Sequence, residues 1–190
     1  MKDDPCAVQL EKREGEPVQA RQLSFQKACG CHEELLLEWK NDETAREQSF
    51  LPRVITAEEH HRWFRAVLAR ADITLLILYW GEAPTGSVRF ERAGEQAEIS
   101  YSIDSRYRGL GLGNRLIGMA VQYAQETLAL SRLCARVKKD NVPSQRVLLA
   151  NGFRNMGELD DRPGYLFGKQ LEAHSQQIPE IAPPPRISHL

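Results

Sequence analysis

Arg108-Gly109-Leu110-Gly111-Leu112-Gly113 is the stretch whose reading decides the fold. It follows a run with strand alternation at 97–103 and precedes a helical stripe of Leu112, Leu116, Met119, Ala120 and Tyr123. Three alternate glycines let the backbone turn sharply and approach a ligand closely. Their amides, added to the free donors of a helix start, make a concave site for an anion, with Arg106 and Arg108 at its edge. A diphosphate suits it. A P-loop would need Lys and Ser or Thr after the last glycine, whereas Asn114 and Arg115 follow Gly113. A dinucleotide fold would need Gly-x-Gly-x-x-Gly within an early βαβ unit, and the spacing here is Gly-x-Gly-x-Gly.

Upstream of the loop, 73–80 is a nearly continuous apolar run, followed by turns at 81–84 and 92–95. The segments 73–80, 86–91 and 97–103 therefore predict an antiparallel meander. A first strand is expected within 18–25 and a buried helical turn at 33–39. Thr56-Ala57-Glu58-Glu59 is a capping box opening a helix with Phe64, Val67, Leu68 and Ala71 on its apolar stripe. Downstream, a strand is expected at 133–137, then a helix with Pro143 in its first turn and Asn151-Gly152 at its stop, then strands at 153–156 and 165–171. Strands first antiparallel, then separated by helices, give an α/β (α+β) fold: a mixed, mostly antiparallel sheet flanked by helices.

The chain has 190 residues, enough for one domain with a substantial core. Residues 1–17 are read as a flexible leader, 18–172 as the domain, and 173–190, with Pro183-Pro184-Pro185, as an extended tail. A net charge of −1 gives no electrostatic case for a nucleic-acid partner. With no apolar run of about 18 residues and no secretory signal, neither a membrane partner nor export is expected, and the expected location is the cytoplasm. Cys6, Cys29, Cys31 and Cys134 are read as structural or free thiols. Cys29-Gly30-Cys31-His32 lacks the second ligand pair of a zinc site, so no metal is assigned.

At the glycine loop the sequence resembles the GNAT acetyltransferases. Arg108, Gly111 and Gly113 match their acetyl-CoA signature, and Asn141-Val142-Pro143-Ser144 with Asn151-Gly152-Phe153 match a second one in the right order. The resemblance covers about 20–171 and implies acetyl-CoA as cosubstrate. It implies that the loop residues Arg108, Gly109, Leu110, Gly111, Leu112, Gly113 and Asn114 hold the pyrophosphate. Ser102 and Ile103 would bond the pantetheine arm where two strands splay apart, with Asn141 and Ser144 on its other side. Asn141 could equally serve as a helix N-cap.

On the acceptor side, 35–103 is similar to a subgroup acting on nucleotide-linked amino sugars, including the acetyltransferase of the pseudaminic acid pathway. That resemblance assigns Lys40, Asn41, His60 and Arg89 to the acceptor, a small-molecule amine, with a homodimer possible. Lys40 stands where the subgroup carries Arg, so it offers a point charge and no bidentate fork. Lys40 and Asn41 could instead be a solvated helix end, His60 a packed core residue, and Arg89 an exposed strand residue. The position where many relatives place a catalytic Tyr holds Leu148, and one where some place Glu holds Arg136. Glu98 and Tyr101 remain as catalytic candidates, on opposite faces of their strand. A GNAT acting on a protein N-terminus, lysine or polyamine, and a non-catalytic acetyl-CoA-binding module, stay open beside the sugar reading.

Overall fold

A computed structural model describes residues 22–172. The leader 1–17 and the tail 173–190 lie outside the described residues. The first strand, β1, is Leu23–Lys27, and α1 runs Glu33–Asn41 after a short 3-10 turn at Gly30–His32. A full helix replaces the expected helical turn, because Leu36 and Trp39 bury one face of it against Leu75 and Ile77. A five-residue helix, α2 (Glu43–Glu47), follows, and then α3 (Ala57–Ala69). The Thr56 hydroxyl accepts the Glu59 amide at 3.2 Å and the Glu59 carboxylate accepts the Thr56 amide at 3.1 Å. The capping box thus starts α3 where the sequence places it. Phe64 and Val67 are buried, but Leu68 is 43% exposed and Ala71 lies beyond the helix end, so the apolar stripe is narrower than expected.

The meander is β2 (Ile73–Trp80), β3 (Ala83–Ala93) and β4 (Gln96–Ile103). Then come α4 (Leu112–Glu126), β5 (Arg132–Lys138), α5 (Val142–Ala150), β6 (Arg154–Glu158) and β7 (Gly164–Gln170). The seven strands form one sheet in the order β1-β2-β3-β4-β5-β7-β6. Every pairing is antiparallel except β4 with β5.

Alternation along the strands separates two cores. Leu76, Leu78, Val88, Phe90, Ile99 and Leu133 face α4 and α5, where Leu116, Ile117, Ala120 and Leu148 meet them. Leu75 and Ile77 face the other way, against Leu36, Trp39, Phe64 and Val67 of α1 and α3. At about 25 cal/mol per Å² of apolar surface, these two layers supply the main drive for folding. Cys29 and Cys31, read as structural or free thiols, are joined as a disulfide. Cys134 is a free thiol, and Cys6 is outside the described residues.

Candidate functional site

The parallel pair β4–β5 is registered only at Gln96–Arg132, Ala97–Leu133 and Glu98–Cys134. Beyond Glu98 the two strands diverge, which is the splay that the family resemblance implies. Backbone alternation shows which groups face the gap. Asp104 donates to Thr85 O at 3.0 Å, and the Ser102 carbonyl points at Gly86, so the even residues of β4 bond to β3. Tyr101 and Ile103 therefore turn their backbone groups toward β5. On β5, Leu171 donates to Ser131 O at 2.9 Å, so the odd residues serve β7 and Arg136 faces the gap. Ser102 is thus corrected: its backbone is committed to β3, and it reaches the site through its side chain.

A cavity of about 950 Å³ runs through this gap and connects the two faces of the sheet. On the α4–α5 side it is walled by Gly109, Gly111, Gly113, Asn114, Tyr101, Asn141 and Ser144. Gly109 and Gly111 have φ of 77° and 74°, the left-handed region that favours glycine, and a Cβ at either would meet nothing within 4 Å. The loop is bent for open space above its amides, which is what a bound diphosphate requires. The first amide bond of α4 is Asn114 to Gly111 O at 3.2 Å, so the Leu112 and Gly113 donors precede it. Asn141 accepts the Ser144 amide at 3.1 Å and is an N-cap while also lining the cavity. The Asn114 side chain accepts from Asn151 at 2.7 Å and ties the loop helix to α5.

Tyr101 packs its ring 3.8 Å from the position of a Cβ on Gly113, and its hydroxyl interacts with Ser144. Burial raises its pKa, with Ser144 opposing, so it is a neutral phenol at physiological pH. Glu98 lies on the opposite face and pairs with Arg136 at 2.7 Å. It is not part of the cavity wall. The two arginines at the loop edge are also engaged: Arg106 with Asp104, and Arg108 with Asp42 at 2.6 Å and Ile103 O at 3.1 Å.

On the α1–α3 side the chamber is lined by Lys40, Arg53, Glu59, His60, Trp63, Ser87, Arg89, Ser100, Ser102 and Arg136. Its charged side chains are almost all cationic. Arg53 is paired with Glu59 at 2.8 Å, and Arg89 stands 3.4 Å from Glu91. Among the described residues Lys40 has no ion pair. The residue is exposed as a whole, yet the crowding of protein around the chamber, and then the nearby Arg89 charge, lower its pKa. His60 is 2% exposed, stacks on Phe64 at 5.9 Å and bonds the Glu33 carbonyl through Nε2 at 3.0 Å. That partner puts the ring proton on Nε2, and burial above all lowers its pKa and keeps it neutral. It is both a packed residue and a wall of the chamber. Asn41 is corrected: its amide donates to Ile55 O and accepts Ile55 N–H, both at 2.8 Å, and it is not part of the wall.

The profile of the acetyltransferase (GNAT) domain family matches residues 25–154. The chain belongs to the GNAT acetyltransferase family. It is an acyltransferase that uses acetyl-CoA as cosubstrate for N-acetylation. Over 184 residues it is 24% identical to an N-acetyltransferase 9-like protein of Caenorhabditis briggsae, covering 90% of this chain and 83% of that one. Its fold is similar to the spermidine N-acetyltransferase of Vibrio cholerae, crystallised with CoA and spermine, at a TM-score of 0.71 and 16% identity over 79% of this chain and 96% of that one. An aminoglycoside acetyltransferase crystallised with coenzyme A gives 0.68 and 17%, covering 78% and 95%. Among the described residues no helix is long and apolar enough to cross a membrane.

Sequence reasoning missed the chamber walls Ser87 and Ser100, and it marked Arg136 only as the residue standing in place of a Glu. Small polar residues alternating with core residues on β3 and β4 were a signal for the first two. It also missed Asp42, the partner of Arg108, whose pairing joins segments distant in the chain.

Proposed function

We propose that this GNAT enzyme acetylates the amine of a nucleotide-linked amino sugar. The observation that carries this reading is the cationic chamber, in which Lys40 and Arg89 lie close together and Lys40 has no counter-ion among the described residues. Two adjacent cations favour an anionic ligand such as a nucleotide diphosphate. They disfavour polycations, among them the spermine bound by the structural neighbour from Vibrio cholerae. The same field favours the neutral form of a bound amine, which is the nucleophilic form.

In this reading the loop 108–114 holds the pyrophosphate through its amides. The backbone of Tyr101 and Ile103, with Asn141 and Ser144 opposite, holds the pantetheine arm. Acetyl-CoA supplies an acetyl group on a thioester. The chamber delivers the amine from the α1–α3 side, so the two reactants meet in the gap. Tyr101, protonated and on the cofactor side, donates a proton to the departing sulfur. Glu98 holds Arg136 at the edge of the gap, a positioning role.

The test is acetyl-CoA turnover, followed as free thiol, against a panel of a uridine-diphosphate amino sugar, spermidine, an aminoglycoside and a basic peptide. The sugar nucleotide should give the highest kcat/KM. Turnover with spermidine or the basic peptide but not with the sugar nucleotide would overturn the acceptor and leave the family assignment intact.

A further inference from the structure

Cys29-Gly30-Cys31-His32 takes no part in the chemistry above. It links β1 to α1, with both cysteines exposed and His32 buried. The disulfide joins residues separated by two positions. Closing so short a loop removes much less entropy from the unfolded chain than closing a long one, so stapling the fold is a weak reason for it. Its surroundings fit reactivity better. His32 Nδ1 lies 3.2 Å from Cys29 Sγ and 3.4 Å from Cys31 Sγ, and accepts the Cys29 N–H at 3.1 Å. The amide bond identifies Nδ1 as the unprotonated nitrogen and puts the ring proton on Nε2, which donates to the Tyr79 hydroxyl at 2.9 Å. The Nδ1 lone pair of this neutral imidazole accepts the Cys29 N–H with both sulfurs within reach of the same nitrogen, and burial lowers the His32 pKa, while both cysteines are exposed.

We propose that Cys29–Cys31 is a thiol–disulfide exchange site for small monothiols and their disulfides, with His32 as the proton acceptor for the reduced pair. In the reducing direction, a small thiolate attacks one Sγ and the Sγ–Sγ bond breaks. A mixed disulfide forms, and the other cysteine leaves as a thiolate that takes a proton. A second thiolate attacks the sulfur of the small thiol in that mixed disulfide. It releases the small disulfide and the remaining cysteine, which is protonated in turn. Two thiols are oxidised and the protein disulfide is reduced, with two electrons and two protons transferred. In the oxidising direction the attacking cysteine passes its proton to His32 Nδ1, which gives up its bond from the Cys29 N–H to take it, since the thiolate is the nucleophile. The site places a redox-responsive link directly ahead of α1, the helix that carries Trp39 and Lys40 into the acceptor chamber.

The test equilibrates the full chain with graded ratios of reduced and oxidised glutathione, traps free thiols by alkylation, and reads each cysteine by peptide mass spectrometry. Cys29 and Cys31 should change together from blocked to alkylated, separately from Cys6 and Cys134. Single Cys29→Ser and Cys31→Ser variants, altered only at exposed positions, should each form a glutathione mixed disulfide at the remaining cysteine. His32→Gln, checked for folding by its melting curve and acetyl-CoA binding, should slow reoxidation of the pair by oxidised glutathione about tenfold. A pair that stays in one state at every ratio overturns the proposal. So does a reduced protein that retains zinc and shields both thiols from alkylation. An unchanged reoxidation rate in His32→Gln, with single-cysteine variants that form no mixed disulfide, overturns it as well.

Discussion

Gly111 shows how much one residue decides. Its φ of 74° is left-handed, and the space a Cβ would enter is empty of protein atoms. Valine there costs about 1–2 kcal/mol in backbone conformation and places a branched carbon over the loop amides. Gly111→Val should raise the acetyl-CoA Kd at least about tenfold, or roughly 1.4 kcal/mol, by calorimetry. An unchanged Kd would mean that the diphosphate sits elsewhere. Tyr101 bears on chemistry instead of affinity. Its phenol pKa is raised by burial, so the donor form persists through neutral pH and is lost only as pH climbs past that raised value. Tyr101→Phe should lower kcat about a hundredfold, leave the acetyl-CoA Kd nearly unchanged, and abolish the alkaline fall in kcat. A variant with full kcat would reduce the tyrosine to a wall of the gap.

At the scale of elements, the features legible in the sequence are those whose partners lie close by along the chain. Thr56 and Glu59 cap α3 through bonds spanning three residues, and the glycine loop opens α4 by its own backbone. The splay between β4 and β5 was legible only through the family resemblance, because it depends on how two distant strands part. The engagements of Asn41 and Glu98 were hidden for a related reason. Their partners, Ile55 and Arg136, come from other elements, and no local pattern marks a side chain as already engaged. Asn41 clamps the end of α1 to the segment entering α3. Asn41→Ala should therefore lower the melting temperature, with a loss of about 1–3 kcal/mol for two partly buried bonds. The acceptor KM of the folded fraction should stay near that of the parent. A raised KM with no change in melting temperature would return Asn41 to the acceptor site.

Over the whole molecule, charge is arranged against its own average. The chain carries a net −1, yet the acceptor chamber gathers Lys40, Arg53, Arg89 and Arg136 around one acidic residue, Glu59. The sheet separates that chamber from the glycine loop, so in the proposed function acceptor and cofactor enter from opposite faces and meet at the gap between β4 and β5. Lys40 tests both statements together. If it receives the anionic part of the acceptor, Lys40→Ala removes one charge-assisted contact, a loss of about 1.5–3 kcal/mol when partly buried. The acceptor kcat/KM should fall about tenfold to hundredfold. The acetyl-CoA Kd should stay put, since the loop proposed to bind it lies on the other face. Added salt should narrow the difference between parent and variant, because the chamber opens to water and its charges are partly screened. An unchanged acceptor kcat/KM would make Lys40 a solvated helix end and remove the main support for an anionic acceptor. Equal losses of acceptor use and acetyl-CoA affinity would instead show that the two faces are not independent.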